Sequence, residues 1–306
     1  MSLNSSNQTS LFGFNNQFNE LVNLYINNKL PNKILLSGHK GIGKCTMAYH
    51  FINFVLSYNE DYKYDLQNLK INENNKSYKL IQNKSNLNFT LIDLNHEKKY
   101  IDITQVRNMI LNLNKTSLNS KPRFVLINNI EYLNTNSINA LLKILEEPNE
   151  NIFFILIHNN RRILSTLISR CLNFRISISH KEVIQISNKL INKDINEQIN
   201  GDLHDYYMSP GKIYRLNKFS VENEIDLKKI NLKNFLLLLI NELYYRKDEA
   251  AKLILYEFIE LFLITKVSLL HFNFFNYFIK RIDDTKKYNL DEESLFIEFK
   301  SKLLNE

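Results

Sequence analysis

Residues 123–171 read RFVLINNIEYLNTNSINALLKILEEPNENIFFILIHNNRRILSTLISRC. Arg123–Ile127 is a short apolar run of the kind that forms a buried strand. Asn128 and Asn129 follow where that strand should end. Asn136 or Ser137 can cap the next helix, on which Ile138, Leu141, Leu142 and Leu145 recur at i, i+3, i+4 and i+7 along one face. Pro148 lacks an amide hydrogen and stops this helix soon after Glu146 and Glu147. Ile152–Ile157 is a second buried strand, and a short helix running into Ser169-Arg170-Cys171 closes the unit.

Upstream lies a second patterned stretch. Leu30-Pro31-Asn32-Lys33 turns the chain into an apolar strand at Ile34–Leu36, and Gly38-His39-Lys40-Gly41-Ile42-Gly43-Lys44-Cys45 follows, with a helix expected from Lys44 to about Val55. The spacing is that of a phosphate-binding loop. Gly38, Gly41 and Gly43 let backbone amides curl around phosphate oxygens, the helix start adds partial positive charge, and Lys44 reaches the outer phosphates. Cys45 stands where such loops place a Ser or Thr hydroxyl on magnesium, and a thiol is a soft, poor ligand for that hard cation. Thr46 has the hydroxyl but is one residue out of register. The other reading of this stretch is a glycine-rich turn that holds no ligand.

The phrases NALLKILEEP at Asn139–Pro148 and SRC at Ser169–Cys171, with IDITQVRNMI at Ile101–Ile110, resemble the clamp-loader branch of the AAA+ proteins, and within it the delta-prime family of bacterial DNA polymerase III. The resemblance runs from Leu11 to about Asn217. It implies an α/β P-loop (AAA+) domain with a parallel sheet over residues 1–177, a small helical lid domain over 178–218 and an all-α collar domain over 219–306 that helps hold a ring of subunits. It further implies work in DNA replication, with the gamma/tau and delta subunits of the loader, the sliding clamp and, through the complex, primer–template DNA as partners.

The same resemblance shows which catalytic parts are altered. An active ATPase of this fold ends its central strand in Asp-Glu, the Asp holding magnesium and the Glu polarising the attacking water. Here Asn128 and Asn129 stand there, and an amide binds a divalent cation less well and takes no proton from water. Glu131 is two residues past the expected base, a shift that should carry it away from the site. A polar sensor is expected at the end of the following strand, where His158 stands before Asn159 and Asn160; His158 reads either as that sensor or as an ordinary strand-end residue. Met208-Ser209-Pro210-Gly211-Lys212 resembles the entry to a lid helix, with Gly211 where active relatives carry a nucleotide-sensing Arg. Arg170, by contrast, matches the family's arginine finger, which reaches the ATP of a neighbouring subunit; a planar, permanently charged guanidinium suits that task. The expectation is a scaffold with no ATP hydrolysis of its own, its loop either empty or holding ATP or ADP without turning it over, the alternative being an active gamma/tau-like P-loop ATPase.

Bulk features set the remaining bounds. The 306 residues predict two or three domains, and 44% hydrophobic content suffices for a core. The net charge of +7 fits work near nucleic acid and fits equally a Lys-rich solvated surface. Two cysteines, Cys45 and Cys171, cannot build a four-ligand zinc site without a His cluster, so no metal site is expected, and no disulfide in a reducing cytosol. The N-terminus lacks the pattern of a signal peptide, and no apolar run is long enough to span a bilayer, so a cytoplasmic protein without membrane contact is expected. Residues 1–10 read as frayed, and residues 57–88, polar and rich in Asn, Lys and Tyr, as a partly ordered surface insertion. From about Phe219 the pattern is helical. The broad stripe of Leu253, Tyr256, Phe258, Ile259, Leu261 and Phe262 suits either an internal core or, with the collar in mind, a surface between subunits.

Overall fold

The computed structural model describes residues 4–94, 98, 100–115, 119–146, 151–160, 163, 165–204, 208–266 and 272–304. The expected helix stop at Pro148 lies outside them. The chain forms two compact units, Met1–Glu182 and Val183–Glu306.

Five strands form one sheet: β1 (Lys33–Ser37), β2 (Phe89–Ile92), β3 (Arg123–Ile127), β4 (Ile152–His158) and β5 (Leu172–Arg175). All pairings are parallel, in the order β2-β3-β4-β1-β5. The alternation of side chains along each strand divides the core. Ile34, Leu36, Phe124, Leu126, Ile155 and Ile157 pack on one face, while Leu35, Val125, Ile127, Phe154 and Leu156 pack on the other. Helices α1 (Asn15–Ile26) and α2 (Lys44–Leu56) cover the first face through Phe18, Leu21, Met47, Phe51 and Ile52. After the short α3 (Lys76–Gln82), helices α4 (Ile103–Leu113) and α5 (Thr135–Glu146) cover the second through Val106, Met109, Leu141 and Leu145. This is the expected P-loop (AAA+) arrangement, a parallel sheet covered on both faces.

Local signals explain the boundaries. Asp102 caps α4, its side chain accepting from the Thr104 amide at 3.2 Å. The cap of α5 is neither Asn136 nor Ser137: Asn134 accepts from the Ser137 amide at 2.8 Å, one turn earlier, and Ser137 instead donates from its hydroxyl to the Ile101 carbonyl. A four-residue helix, α6 (Ser165–Ile168), precedes Arg170.

Two expectations for the first unit are corrected. Residues 57–88 are packed, not loosely ordered. Tyr64, Leu69, Ile71 and Ile81 are buried in the core around α2, and Asn75, fully buried, caps α3 by accepting from the Tyr78 amide at 2.7 Å. The misreading came from counting Tyr and Asn as solvated; here a Tyr ring fills the core and an Asn completes a helix end. Nor is the described part of the first ten residues frayed. The Leu11 amide donates to the Leu69 carbonyl and the Ile71 amide to the Thr9 carbonyl, at 3.0 and 2.8 Å, strapping the chain start to that segment. His50 locks the strap: one ring nitrogen meets the Gln8 carbonyl at 3.0 Å and the other the Tyr64 hydroxyl at 2.9 Å. A carbonyl can only accept, so Nε2 carries the proton and Nδ1 accepts from Tyr64.

The second unit is helical: α7 (His180–Ile191), α8 (Ile195–Gln198), α9 (Pro210–Glu222), α10 (Leu232–Asn241), α11 (Tyr244–Lys247), α12 (Glu249–Lys266), α13 (Phe272–Tyr288) and α14 (Glu292–Phe299). Helix α7 ends at Ile191, where Asn192 turns left-handed (φ 57°) and Asp194 caps α8. The apolar stripe of α12 is spent inside the unit. Phe258 meets Phe235 with ring centroids 5.0 Å apart, Tyr256 meets Phe296 at 5.1 Å, and Phe262 meets Phe299 at 5.7 Å. Of that stripe only Leu253 is exposed, so its breadth reflects a self-contained core and not a surface between subunits.

Candidate functional site

The parallel register brings the C-terminal ends of the strands to one edge of the sheet, the edge where α/β folds place their ligands. Ser37 pairs with His158, Ile127 with Leu156 and Ile92 with Ile127, so Gly38, Asn159, Asn128 and Asp93 leave the sheet side by side.

The loop after β1 has the backbone the glycines predict. Gly41 and Gly43 sit at φ 83° and 104°, conformations that L side chains rarely adopt, and the Phe14 ring lies 3.3 Å from where a Gly43 Cβ would stand. A Cβ on Gly38 would lie 2.2 Å from the Ile176 carbonyl oxygen. Lys44, at the start of α2, is 3% exposed. Its ammonium donates to the carbonyls of Gly38 (2.9 Å) and His39 (2.6 Å) and to Asn159 Oδ1 (2.9 Å). Burial pulls its pKa down to about 8, against the opposing pull of Glu131. Cys45 is half-buried against the core, and burial pushes its thiol up to about 12, so it is a neutral packing group at neutral pH. Thr46, half-buried, lies one residue on along α2.

From Lys44 a hydrogen-bond chain crosses three strand ends. Asn159 Nδ2 donates to Asn129 Oδ1 and to Glu131 Oε1, both at 2.8 Å. Asn129 Nδ2 donates to Asp93 Oδ1 at 2.8 Å, and Asn128 Nδ2 to Asp93 Oδ2 at 2.9 Å. The amide orientations are dictated by the partners. An ammonium can only donate, so Asn159 offers it oxygen; an ionised carboxylate can only accept, so Asn128 and Asn129 offer it nitrogen. Asp93 thus supplies a carboxylate beside the two positions that have lost theirs.

Two sequence expectations change here. The side chain bonded to Lys44 from the end of β4 is Asn159, because β4 continues through His158, whose carbonyl accepts from the Gly38 amide. Glu131 is not carried away from the site. Asn129 adopts a left-handed conformation (φ 56°) and a single 3-10 turn at Ile130–Tyr132 swings Glu131 back onto Asn159. Sequence reasoning missed Asp93 and Asn159. The signal was available: each is the first residue past a strand that ends on the shared edge, Asp93 after Ile92 and Asn159 after His158.

Arg170 lies away from this chain of bonds, after α6. Its side chain is one-third exposed; Nη1 donates to the Thr166 carbonyl at 2.8 Å and Nε to Glu146 Oε1 at 3.1 Å. Glu146 is more than half exposed, so the pair contributes roughly 0–1 kcal/mol and leaves the guanidinium at the surface. Cys171 packs into the core, its thiol pushed up to about 11 by burial. In the second unit, Gly211 is followed by Lys212 and Arg215, which both turn to Glu257 of α12, at 3.9 and 3.2 Å.

The Lys44 ammonium spends its three donors on Gly38, His39 and Asn159, so a phosphate group would have to displace one of these acceptors. For a magnesium ion the fit is narrower. Among the described residues no three His, Cys, Asp or Glu side chains converge, so a cation would depend on phosphate oxygens plus a single carboxylate.

Known proteins align with this chain over half of its length or more. The delta' subunit of DNA polymerase III from Buchnera aphidicola subsp. Baizongia pistaciae is 27% identical over 161 residues, 51% of this chain and 46% of that protein. The gamma subunit from Buchnera aphidicola subsp. Schizaphis graminum is 27% identical over 219 residues, 67% of this chain and 55% of that protein. The chain therefore spans about half the length of the curated relatives it matches. A gamma subunit-related protein of Thermotoga maritima, a solved structure, aligns over 93% of this chain and 98% of its own at 16% identity, with a TM-score of 0.47. No helix among the described residues is long and apolar enough to cross a membrane. A family model described as "DNA polymerase III, delta subunit" matches residues 13–180, a span that takes in the whole sheet, the glycine loop, the Lys44-to-Asp93 chain and Arg170, and the chain belongs to that family.

Proposed function

We propose that this chain is a delta-prime-like subunit of a DNA polymerase III clamp loader that hydrolyses no ATP itself and lends Arg170 to the ATP site of an adjacent gamma/tau subunit. The observation that carries this reading is the state of Asn128 and Asn129: both are amides, and both are bonded to Asp93. With Glu131 on Asn159, no carboxylate stands at position 129 to take a proton from water. Cys45, neutral and packed, and Gly211 subtract two further contributions, and each lost charged or ligating group is worth roughly a few kcal/mol of transition-state stabilisation. Arg170 is held by an exposed pair with Glu146 and one bond to the Thr166 carbonyl, contacts that a phosphate partner could replace at modest cost.

On this reading the loop keeps ATP or ADP without turnover, and the partners are the gamma/tau and delta subunits, the sliding clamp and, through the complex, primer–template DNA in the cytoplasm. The division into a P-loop domain (1–177), a lid (178–218) and a collar (219–306) belongs to the same proposal. A second reading, an active gamma/tau-like ATPase, draws on Glu131, whose carboxylate shares Asn159 with Lys44.

Steady-state ATP hydrolysis separates the two. The expected result is background turnover by the pure chain, and a DNA-stimulated rate in the complex with gamma/tau and delta that falls by roughly 10³-fold at the affected site in Arg170→Ala. Turnover by the pure chain that Lys44→Ala abolishes would establish the second reading instead.

A further inference from the structure

We propose that Glu146 is a positioning residue for Arg170: it holds the guanidinium along one edge and leaves the other edge open to a neighbour's phosphate. The inference rests on the reading of Arg170 as a finger given in trans. Glu146 ends α5, whose Leu141 and Leu145 are fully buried against the sheet, so its carboxylate stands on a firmly packed helix. Arg170 lies 24 positions further on, after a helix of only four residues, and its long side chain has many rotamers to lose before it points one way. The two phrases that carry the family resemblance thus meet in space, Glu146 from the first and Arg170 from the second.

The donors of the guanidinium show what this contact does. A guanidinium carries five N–H groups. Nε spends its one on Glu146 Oε1 at 3.1 Å, Nη2 spends one on the same oxygen, and Nη1 spends one on the Thr166 carbonyl at 2.8 Å. Two remain, one on each terminal nitrogen. Such a pair meets two oxygens of a phosphate side by side. A phosphate is therefore gripped with both contacts to this chain intact. In water the pair with Glu146 is worth little; closed between two subunits it loses its screening, and the same geometry holds the finger more firmly. Glu146 also offsets part of the finger's charge, but from the edge away from the phosphate. A misplaced cation loses more, about 100-fold in rate for 1 Å.

The test is steady-state ATP hydrolysis on primer–template DNA by the complex with gamma/tau and delta, carrying variants of this chain. Glu146→Ala is expected to lower kcat at the affected site by roughly 10–100-fold with KM for ATP unchanged, since the neighbour binds the nucleotide. Glu146→Gln, which keeps an acceptor oxygen without the charge, is expected to recover part of the loss. Arg170→Ala alone and Arg170→Ala combined with Glu146→Ala are expected to reach the same rate, because Glu146 acts only through Arg170. The pure Glu146→Ala chain should melt at the parent temperature and saturate the complex at the parent concentration, two readouts that a merely structural role would move. An unchanged rate in Glu146→Ala, a loss that more of the variant chain restores, or a combined variant slower than Arg170→Ala overturns the proposal. So does a faster rate, which would make Glu146 a partner that the finger must leave. Each of these leaves the functional reading standing as long as Arg170→Ala itself lowers the rate, whereas an Arg170→Ala complex at the parent rate removes both.

Discussion

Asp93 and Asn129 face each other at 2.8 Å across the ends of β2 and β3, with the carboxylate on the outer strand and the amide on the inner one. A carboxylate installed at 129 would therefore meet a carboxylate. Asn129→Asp is expected to cost about 1–3 kcal/mol at neutral pH, through like-charge contact and a lost hydrogen bond. Adding Asp93→Asn should return most of it. A double-mutant cycle by urea denaturation at pH 7 reads the coupling, and additive losses would refute it.

Gly38 is fixed by contact. A methyl there would stand 2.2 Å from the Ile176 carbonyl oxygen, a backbone atom with little room to retreat. Gly38→Ala is expected to destabilise the first unit by at least about 2 kcal/mol, with the loop displaced. Thermal melts and amide shifts of residues 38–45 and 176 check this.

His50 makes the first unit acid-sensitive. Burial holds its pKa near 4, below the ordinary 6.5, so the unfolded chain binds the extra proton first. The contribution is complete above pH 6.5 and is lost as the pH falls towards 4, by up to about 3 kcal/mol. His50→Phe should flatten that part of the stability profile, while costing about 1–3 kcal/mol at pH 7 for the orphaned Gln8 carbonyl and Tyr64 hydroxyl. Urea denaturation across pH 4–7 measures both.

Lys44 gives nucleotide binding a proton signature. Its pKa in the free chain is about 8, lowered chiefly by burial, and a phosphate beside it favours the charged form. Between pH 8 and 10 ADP binding is therefore expected to take up a proton. Calorimetry at pH 8.5 in buffers of different ionisation enthalpy should show the uptake, and Lys44→Met should abolish it.

Much of this was readable in advance. The strands at Ile34–Leu36, Arg123–Ile127 and Ile152–Ile157 and the glycine spacing depend on local patterning, and they stand where the residues put them. Asp93 was not readable in the same way because its partners are 35 and 36 positions away, and only the parallel register brings them together. Glu131 was misjudged because extended-chain geometry was assumed where the chain makes a left-handed residue and a tight turn. The α12 stripe misled for a different reason: breadth of apolar surface measures how much must be covered, and here α10 and α14 of the same chain supply the cover.

The strap between Thr9–Leu11 and Leu69–Ile71 bears on where this protein can be cut. A fragment begun at residue 13, where the family match begins, would leave the amide of Ile71 and the carbonyl of Leu69 without their partners and strip the Gln8 carbonyl from His50. Expression of the isolated first unit should therefore start at or before Gln8, because the opening residues act as a clasp on helix α2.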